Sequence, residues 1–229
     1  MKEVRMALPA VSPRSLVDQA IEAMRAQVHS GEWAVGSRIP SEPALAAELG
    51  VGRNTVREAV RALAHNGVLE VRQGDGTYVL AGREVSGLVR KRAADVEVGL
   101  VHEVRQAMET QAAVLAASRR TRADLAALRR ALRERAAAVA AGDHEVFVEA
   151  DVAFHVGVVT AAHNALLGEL YDGFVPTLRA SLAAPQGRDD ALCADHDALL
   201  AGIADRDPAA AASATGRLLA TVAGRLRRP

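Results

Sequence analysis

The sequence predicts a mainly α protein in two parts: a short module of three helices closed by a β-hairpin, then an all-helical antiparallel bundle. Three observations carry this. Alanine, a strong helix former, is very abundant in a chain of 229 residues in which aromatics make up 3%. β-type residues gather in one short stretch, 68–80, divided by Gln73-Gly74-Asp75-Gly76. From about residue 96 onward, apolar residues recur at helical spacing with short breaks, as in a bundle whose neighbouring helices are antiparallel.

The elements follow in order. Ser12-Pro13 opens a first helix whose Leu16, Ala20, Ile21, Met24 and Val28 recur at helical spacing, and Gly31 ends it. Val35 to Pro40 reads as a loop. Ser41 caps a second helix to Leu49, with Leu45, Ala46 and Leu49 inward and Gly50 as its stop. After the turn Val51–Asn54, a third helix starts at Asn54 or Thr55 and runs to about Asn66-Gly67, with an apolar stripe of Val56, Ala59, Val60 and Leu63. Val68–Val71 and Thr77–Leu80 then form the hairpin. Residues 10–80 are one domain, 81–96 a polar and basic linker that has room for a helical portion, and 97–227 a second domain with helices over 97–118, 122–141, 143–163, 164–184, 189–205 and 208–227. Pro185–Gly187 marks one of the breaks.

Half the residues are apolar and 24% are charged, which excludes a disordered chain. A single cysteine, Cys193, excludes an intrachain disulfide. No stretch has the uninterrupted apolar length of a membrane span, and the N-terminus, with Pro9 and Pro13, lacks the apolar run of a signal peptide. A bacterial cytoplasmic protein is expected. Basic and acidic residues number 28 each, so bulk charge does not coat nucleic acid. The balance hides a split: residues 1–92 carry 13 basic and 10 acidic side chains (+3), and 93–229 carry 15 and 18 (−3).

Helix, helix, turn, helix, hairpin is the plan of a winged helix-turn-helix. The third helix opens with Arg53, Asn54, Thr55 and Arg57, and Arg57 and Arg61 share the face opposite Val56, Val60 and Leu63. In such modules the recognition helix enters the major groove by its N-terminal residues. A bidentate arginine on guanine is worth about 1–3 kcal/mol of discrimination. Gly74 and Gly76 remove side chains from the hairpin tip, so backbone can approach the phosphates or the minor groove closely. The run from Ser37 to Val79 carries Ile39-Pro40-Ser41-Glu42, Leu49-Gly50-Val51, Arg53-x-Thr55-Val56-Arg57-Glu58-Ala59, Leu63-x-x-x-Gly67-Val68-Leu69 and Arg72-x-Gly74-x-Gly76-Thr77-Tyr78-Val79. These motifs resemble the N-terminal domain of the GntR family of bacterial transcription regulators across its whole length. The resemblance implies double-stranded DNA as partner, contacted by Ser41, Arg53, Asn54, Thr55, Arg57, Arg61, Gly74, Gly76 and Thr77. Pro43 departs from it, standing where members often carry a phosphate-binding arginine.

The second half resembles the all-helical effector domain of the FadR subgroup, the FCD type. The likeness rests on Val104-Arg105-x-x-x-Glu109 before the alanine-rich 112–117, on Asp151-x-x-x-His155, and on His196. Asp151 and His155 at i and i+4 share a helix face. With His196 they make a candidate site for a divalent metal, since imidazole and carboxylate together suit Zn, Ni or Mn. Relatives use one Asp and three His, and the last is replaced here by Leu218. Two readings stay open: three protein ligands hold a metal whose sphere is completed by water or an effector carboxylate, or the site is metal-free and Arg105 or Arg217 binds the effector. Arg105 and Glu109, at i and i+4, are either a salt bridge or part of an organic-acid clamp. Asn164 is either a pocket residue or a helix cap.

The resemblance implies a homodimeric regulator, a repressor released from a near-palindromic operator by a small carboxylate. Two other readings compete with it. A bundle that only dimerises is favoured by Leu218. A metal hydrolase built on Asp151, His155 and His196 lacks a nucleophile–base pair or phosphate loop, so no enzyme is expected.

Overall fold

The computed structural model describes residues 15–182 and 190–226. They fall into two compact units, Met1–Gly82 and Arg83–Pro229. The first contains α1 (Leu16–Ser30), α2 (Glu42–Leu49), α3 (Arg53–His65), β1 (Leu69–Arg72) and β2 (Gly76–Val79). Ser12 and Pro13 lie outside the described residues, and α1 is capped by Ser15 instead. The Ser15 hydroxyl accepts from the Asp18 N–H while the Asp18 carboxylate accepts from the Ser15 N–H, a reciprocal capping box. Leu16, expected inside, is exposed; Ala20, Met24 and Val28 are the buried stripe. α3 begins one residue before the expected range, with Gly52 at its cap position.

Val56, Ala59, Val60 and Leu63 of α3 are fully buried against Met24, Leu45, Leu69 and Val79. This packing fixes which face of α3 is left to solvent. β1 and β2 pair antiparallel from Leu69↔Val79 to Arg72↔Gly76. The stretch read as a loop does more than connect. The Ile39 N–H donates to the Thr77 carbonyl and the Val79 N–H to the Ser37 carbonyl, both at 2.9 Å, so residues 37–39 cover the free edge of β2.

The second unit contains α4 (Glu84–Ala94), α5 (Val98–Arg119), α6 (Arg122–Ala141), α7 (His144–Ala161), α8 (Ala165–Asp172), α9 (Val175–Leu182), α10 (Asp190–Ala204) and α11 (Pro208–Leu226). The helical portion of segment 81–96 is α4, packed on α8 and α9. One expectation changes. The single helix expected over 164–184 is two helices that part at Gly173. A Cβ there would lie 2.6 Å from Val89 and 2.8 Å from the Ser86 carbonyl, so the corner exists where α4 presses on bare backbone. The break expected at Pro185–Gly187 lies outside the described residues. Thr121 and Asp124 cap α6 reciprocally, and Gly142 (φ +69°) ends it.

The bundle packs α5 against α7 and α11, α6 against α7, and α10 against α11. Its core is rich in alanine: Ala112, Ala113, Ala116 and Ala117 of α5 meet Phe154, Val158, Leu199, Ile203, Ala211 and Ala214. Small residues let the helix axes approach. α10 and α11 are the extreme case, since a Cβ on Gly202 would stand 2.7 Å from the Ala211 backbone nitrogen. Among the described residues, no helix is long and apolar enough to cross a membrane. Gly202→Ala should force α10 and α11 apart and destabilise the protein by about 1–3 kcal/mol. Urea denaturation checks this, and an unchanged midpoint would contradict the close-packing account.

Candidate functional site

Two places carry chemistry. In the first unit, burial of one α3 face leaves Arg53, Asn54, Arg57 and Arg61 exposed on the other. The exposed Arg57 donates from Nε to Glu42 of α2 at 3.1 Å, while Arg61 pairs with Glu58. Ser41 holds the cap position of α2 without a side-chain capping bond. The hairpin tip turns through Gly74 (φ +77°) and Gly76 (φ +153°). Two further arginines frame this tip: Arg72, present in the sequence only as part of a motif, and Arg38, neither of them among the expected DNA contacts. A Cβ on Gly76 would sit 2.5 Å from the Arg38 Nε, so Arg38 lies across that glycine. Arg72 lies over the Tyr78 ring at 4.2 Å, and Tyr78 donates to Asp75. Arg38 gave no local signal, because its place opposite Gly76 depends on the strand-edge pairing of residues 37–39.

In the second unit, Asp151 and His155 on α7 and His196 on α10 are buried together, with one ligand atom from each lying within 4.8 Å of the others. His155 Nε2 is 3.5 Å from Asp151 Oδ2, and His196 Nε2 is 3.4 Å from Asp151 Oδ1. Two ligands each about 2.1 Å from one tetrahedral ion stand roughly 3.4 Å apart. The donor set therefore fits a divalent ion in chemistry and in spacing. His155 Nδ1 donates to Glu109 Oε2 at 2.8 Å, which fixes the ring and turns Nε2 toward Asp151. Ligand histidines are commonly oriented by a carboxylate in this way. Glu109 also takes Arg105 through Nε and Nη2 at 3.1 and 2.8 Å, and the Tyr171 hydroxyl at 2.8 Å. Arg135 of α6 donates from Nε to Asp151 Oδ1 at 2.6 Å.

Charge explains why these groups stay ionised. Burial opposes ionisation of Glu109, but His155 and Arg105 outweigh it, and hydrogen bonds from His155 and Tyr171 add to them, holding the carboxyl at about 2. Burial likewise opposes Asp151, and His196, His155 and Arg135 together bring it well below the carboxylate range. Burial opposes the charged form of His155, but Glu109 and Asp151 raise its pKa above the ordinary value.

The sequence matches two family models in this same arrangement. Residues 16–79 match the bacterial regulatory proteins of the gntR family, and residues 100–221 match the FCD domain. The chain belongs to the GntR family, with an FCD domain as its second half. The galactonate operon transcriptional repressor of Escherichia coli (strain K12) is 29% identical over 222 residues, 92% of this chain and 96% of that one. The regulator LutR of Bacillus subtilis (strain 168) is 37% identical over 149 residues, 62% of this chain and 66% of its own. A Streptococcus agalactiae GntR structure superposes with a TM-score of 0.63 at 29% identity, covering 91% of this chain and 99% of that one. This GntR protein is a DNA-binding transcription regulator, not an enzyme.

The residues singled out in the GntR sequence divide by position. Asp151, His155 and His196 come together, with Arg105 and Glu109 behind them. Arg217 does not join them; it is exposed, bonded to Asp195 and Ser213. Asn164 caps α8 by accepting from the Leu167 N–H. Leu218 is buried and packs with Leu219. His102 is buried elsewhere, its Nε2 2.9 Å from the Leu219 carbonyl oxygen. Arg135 and Tyr171 were missed. Arg135 had a signal: it stands four residues from buried Ala131 and seven from buried Leu128, an arginine on the inward stripe of α6.

The buried pair sets a pH dependence for the metal-free protein. Glu109 is held at about 2 against its ordinary 4.5, so its contribution is full above pH 4.5 and is lost as pH falls toward 2. His155, whose pKa is raised, works in the opposite sense: its contribution is full below its ordinary 6.5 and fades as pH climbs through the folded value. Glu109→Gln should flatten the acid limb of the urea midpoint against pH. Parallel acid limbs in both proteins would show that Glu109 does not set it.

Proposed function

We propose that this regulator is a cytoplasmic, homodimeric repressor that binds a near-palindromic operator and is released from it by a small carboxylate held in the FCD domain. Reading of the operator falls to Arg53, Asn54, Thr55, Arg57 and Arg61 at the major groove. Ser41, Thr77 and the tip glycines Gly74 and Gly76 meet the backbone. Dimer symmetry matches operator symmetry. The repressor role is supported by likeness to the galactonate operon repressor along nearly the whole chain.

The observation that carries the effector half is the buried Asp151/His155/His196 triad. These three would hold Zn, Ni or Mn, and the ion would supply an open coordination position that attracts a carboxylate. Glu109 keeps His155 turned toward that position, and Arg105 and Tyr171 keep Glu109 in place. Because effector and operator act on one chain, their coupling is reciprocal: operator DNA weakens effector binding by the factor by which effector weakens operator binding. A metal-free centre is the second reading, favoured by Leu218 and by the Arg135 guanidinium already seated on Asp151.

Arg53→Ala and Arg57→Ala should each weaken binding to a selected operator duplex by roughly tenfold to hundredfold. Circular dichroism should stay unchanged. Wild-type affinity in either variant, measured by fluorescence anisotropy, would contradict the recognition-helix assignment. His196→Ala should lower the metal content of purified protein. Equal content in both proteins, or none in either, would remove the metal from the account.

A further inference from the structure

Arg135 holds no metal in the reading above, yet it touches the centre directly. Its side chain is 8% exposed, and it is held on three sides: by Asp151 Oδ1 through Nε, by Cys193 Sγ at 3.5 Å from Nη1, and by the Phe147 ring at 5.0 Å from Cζ. Swinging it away from Asp151 would forfeit all three contacts.

The charges of the buried centre can be counted. Among the described residues, its buried guanidiniums are Arg105 and Arg135, and its buried carboxylates are Glu109 and Asp151. These cancel in two pairs, each in contact. As metal ligands, His155 and His196 must be neutral, so they add nothing. A divalent cation on Asp151, His155 and His196 then leaves two positive charges without counter-charge in the interior of a bundle. Uncompensated buried charge is strongly unfavourable. A monocarboxylate cancels half of the excess, and a ligand with two negative charges cancels all of it. If position 135 were apolar, Asp151 would answer the metal alone and a monocarboxylate would be sufficient.

We propose that Arg135 is a specificity-determining residue. By occupying Asp151, it makes the centre take up its metal together with a dianionic carboxylate in preference to a monoanionic one. This rests on the metal reading given under Proposed function and names the ligand class for it. It also implies that metal alone is held weakly, and that metal and dianion each tighten the binding of the other.

The test is calorimetric, on the full-length chain at neutral pH and constant ionic strength. Zinc is titrated into wild type, R135M and R135K; succinate and its monoanionic counterpart succinamate are then titrated into the zinc-loaded proteins. Wild type should bind succinate at least about tenfold more tightly than succinamate. R135M should bind zinc alone more tightly than wild type and lose most of the succinate preference. R135K, which keeps the charge, should keep the preference, and circular dichroism confirms that each variant is folded. A wild-type protein without the preference, or an R135M variant that retains it in full, overturns the role of Arg135 and leaves the metal site standing. Failure of zinc to bind either wild type or R135M overturns the metal reading itself, and this inference with it.

Discussion

Two carboxylates buried inside a helical bundle constrain everything placed around them. Glu109 and Asp151 are each almost wholly removed from water, and a buried carboxylate is tolerable only when cations and hydrogen-bond donors surround it. Arg105, His155 and Tyr171 meet Glu109; Arg135, His155 and His196 meet Asp151. These partners come from α5, α6, α7, α8 and α10. A single buried cluster therefore ties five helices together, and a shift of any one of them leaves a buried carboxylate short of a cation or a hydrogen-bond donor. Alanine on α5 and glycine at 202 serve the same end by letting the helices close around groups that have limited reach.

The DNA-binding half was legible because its signals are local. Gly50 and Gly74 mark left-handed turns, and the apolar stripe of α3 announces which face is left to solvent. Those are properties of short segments, and they survive without knowledge of the fold. The errors there are local as well. Ser12-Pro13 resembles a helix start, but the capping box belongs to Ser15 and Asp18, three residues apart. Residues 37–39 read as loop because their partner, β2, lies some forty residues on.

The FCD half was legible as helices but only partly as a site. Asp151-x-x-x-His155 shares a helix face by spacing alone, and His196 joined it through resemblance. Arg135 and Tyr171 were invisible as site residues because their relation to Asp151 and Glu109 exists only once α6 and α8 have packed. Arg217, by contrast, had the right residue type near the expected fourth ligand position, yet it faces solvent and Asp195. Helical phase decides this: Leu218, one residue along, is the one that points inward. The extent of α4 was obscured for a related reason. Its basic, glycine-containing sequence looks like a linker, and its helicity depends on packing against α8 and α9.

The central claim is that the buried cluster is a cation centre built by Asp151, His155 and His196 with Arg135 as a fixed neighbour. Anomalous diffraction at the zinc edge, from crystals of zinc-loaded protein, tests it most directly. The account predicts one interior peak bonded to an Asp151 carboxylate oxygen and to Nε2 of both histidines, with Arg135 still against Asp151. An interior without such a peak, or zinc bound only at surface residues, would contradict it.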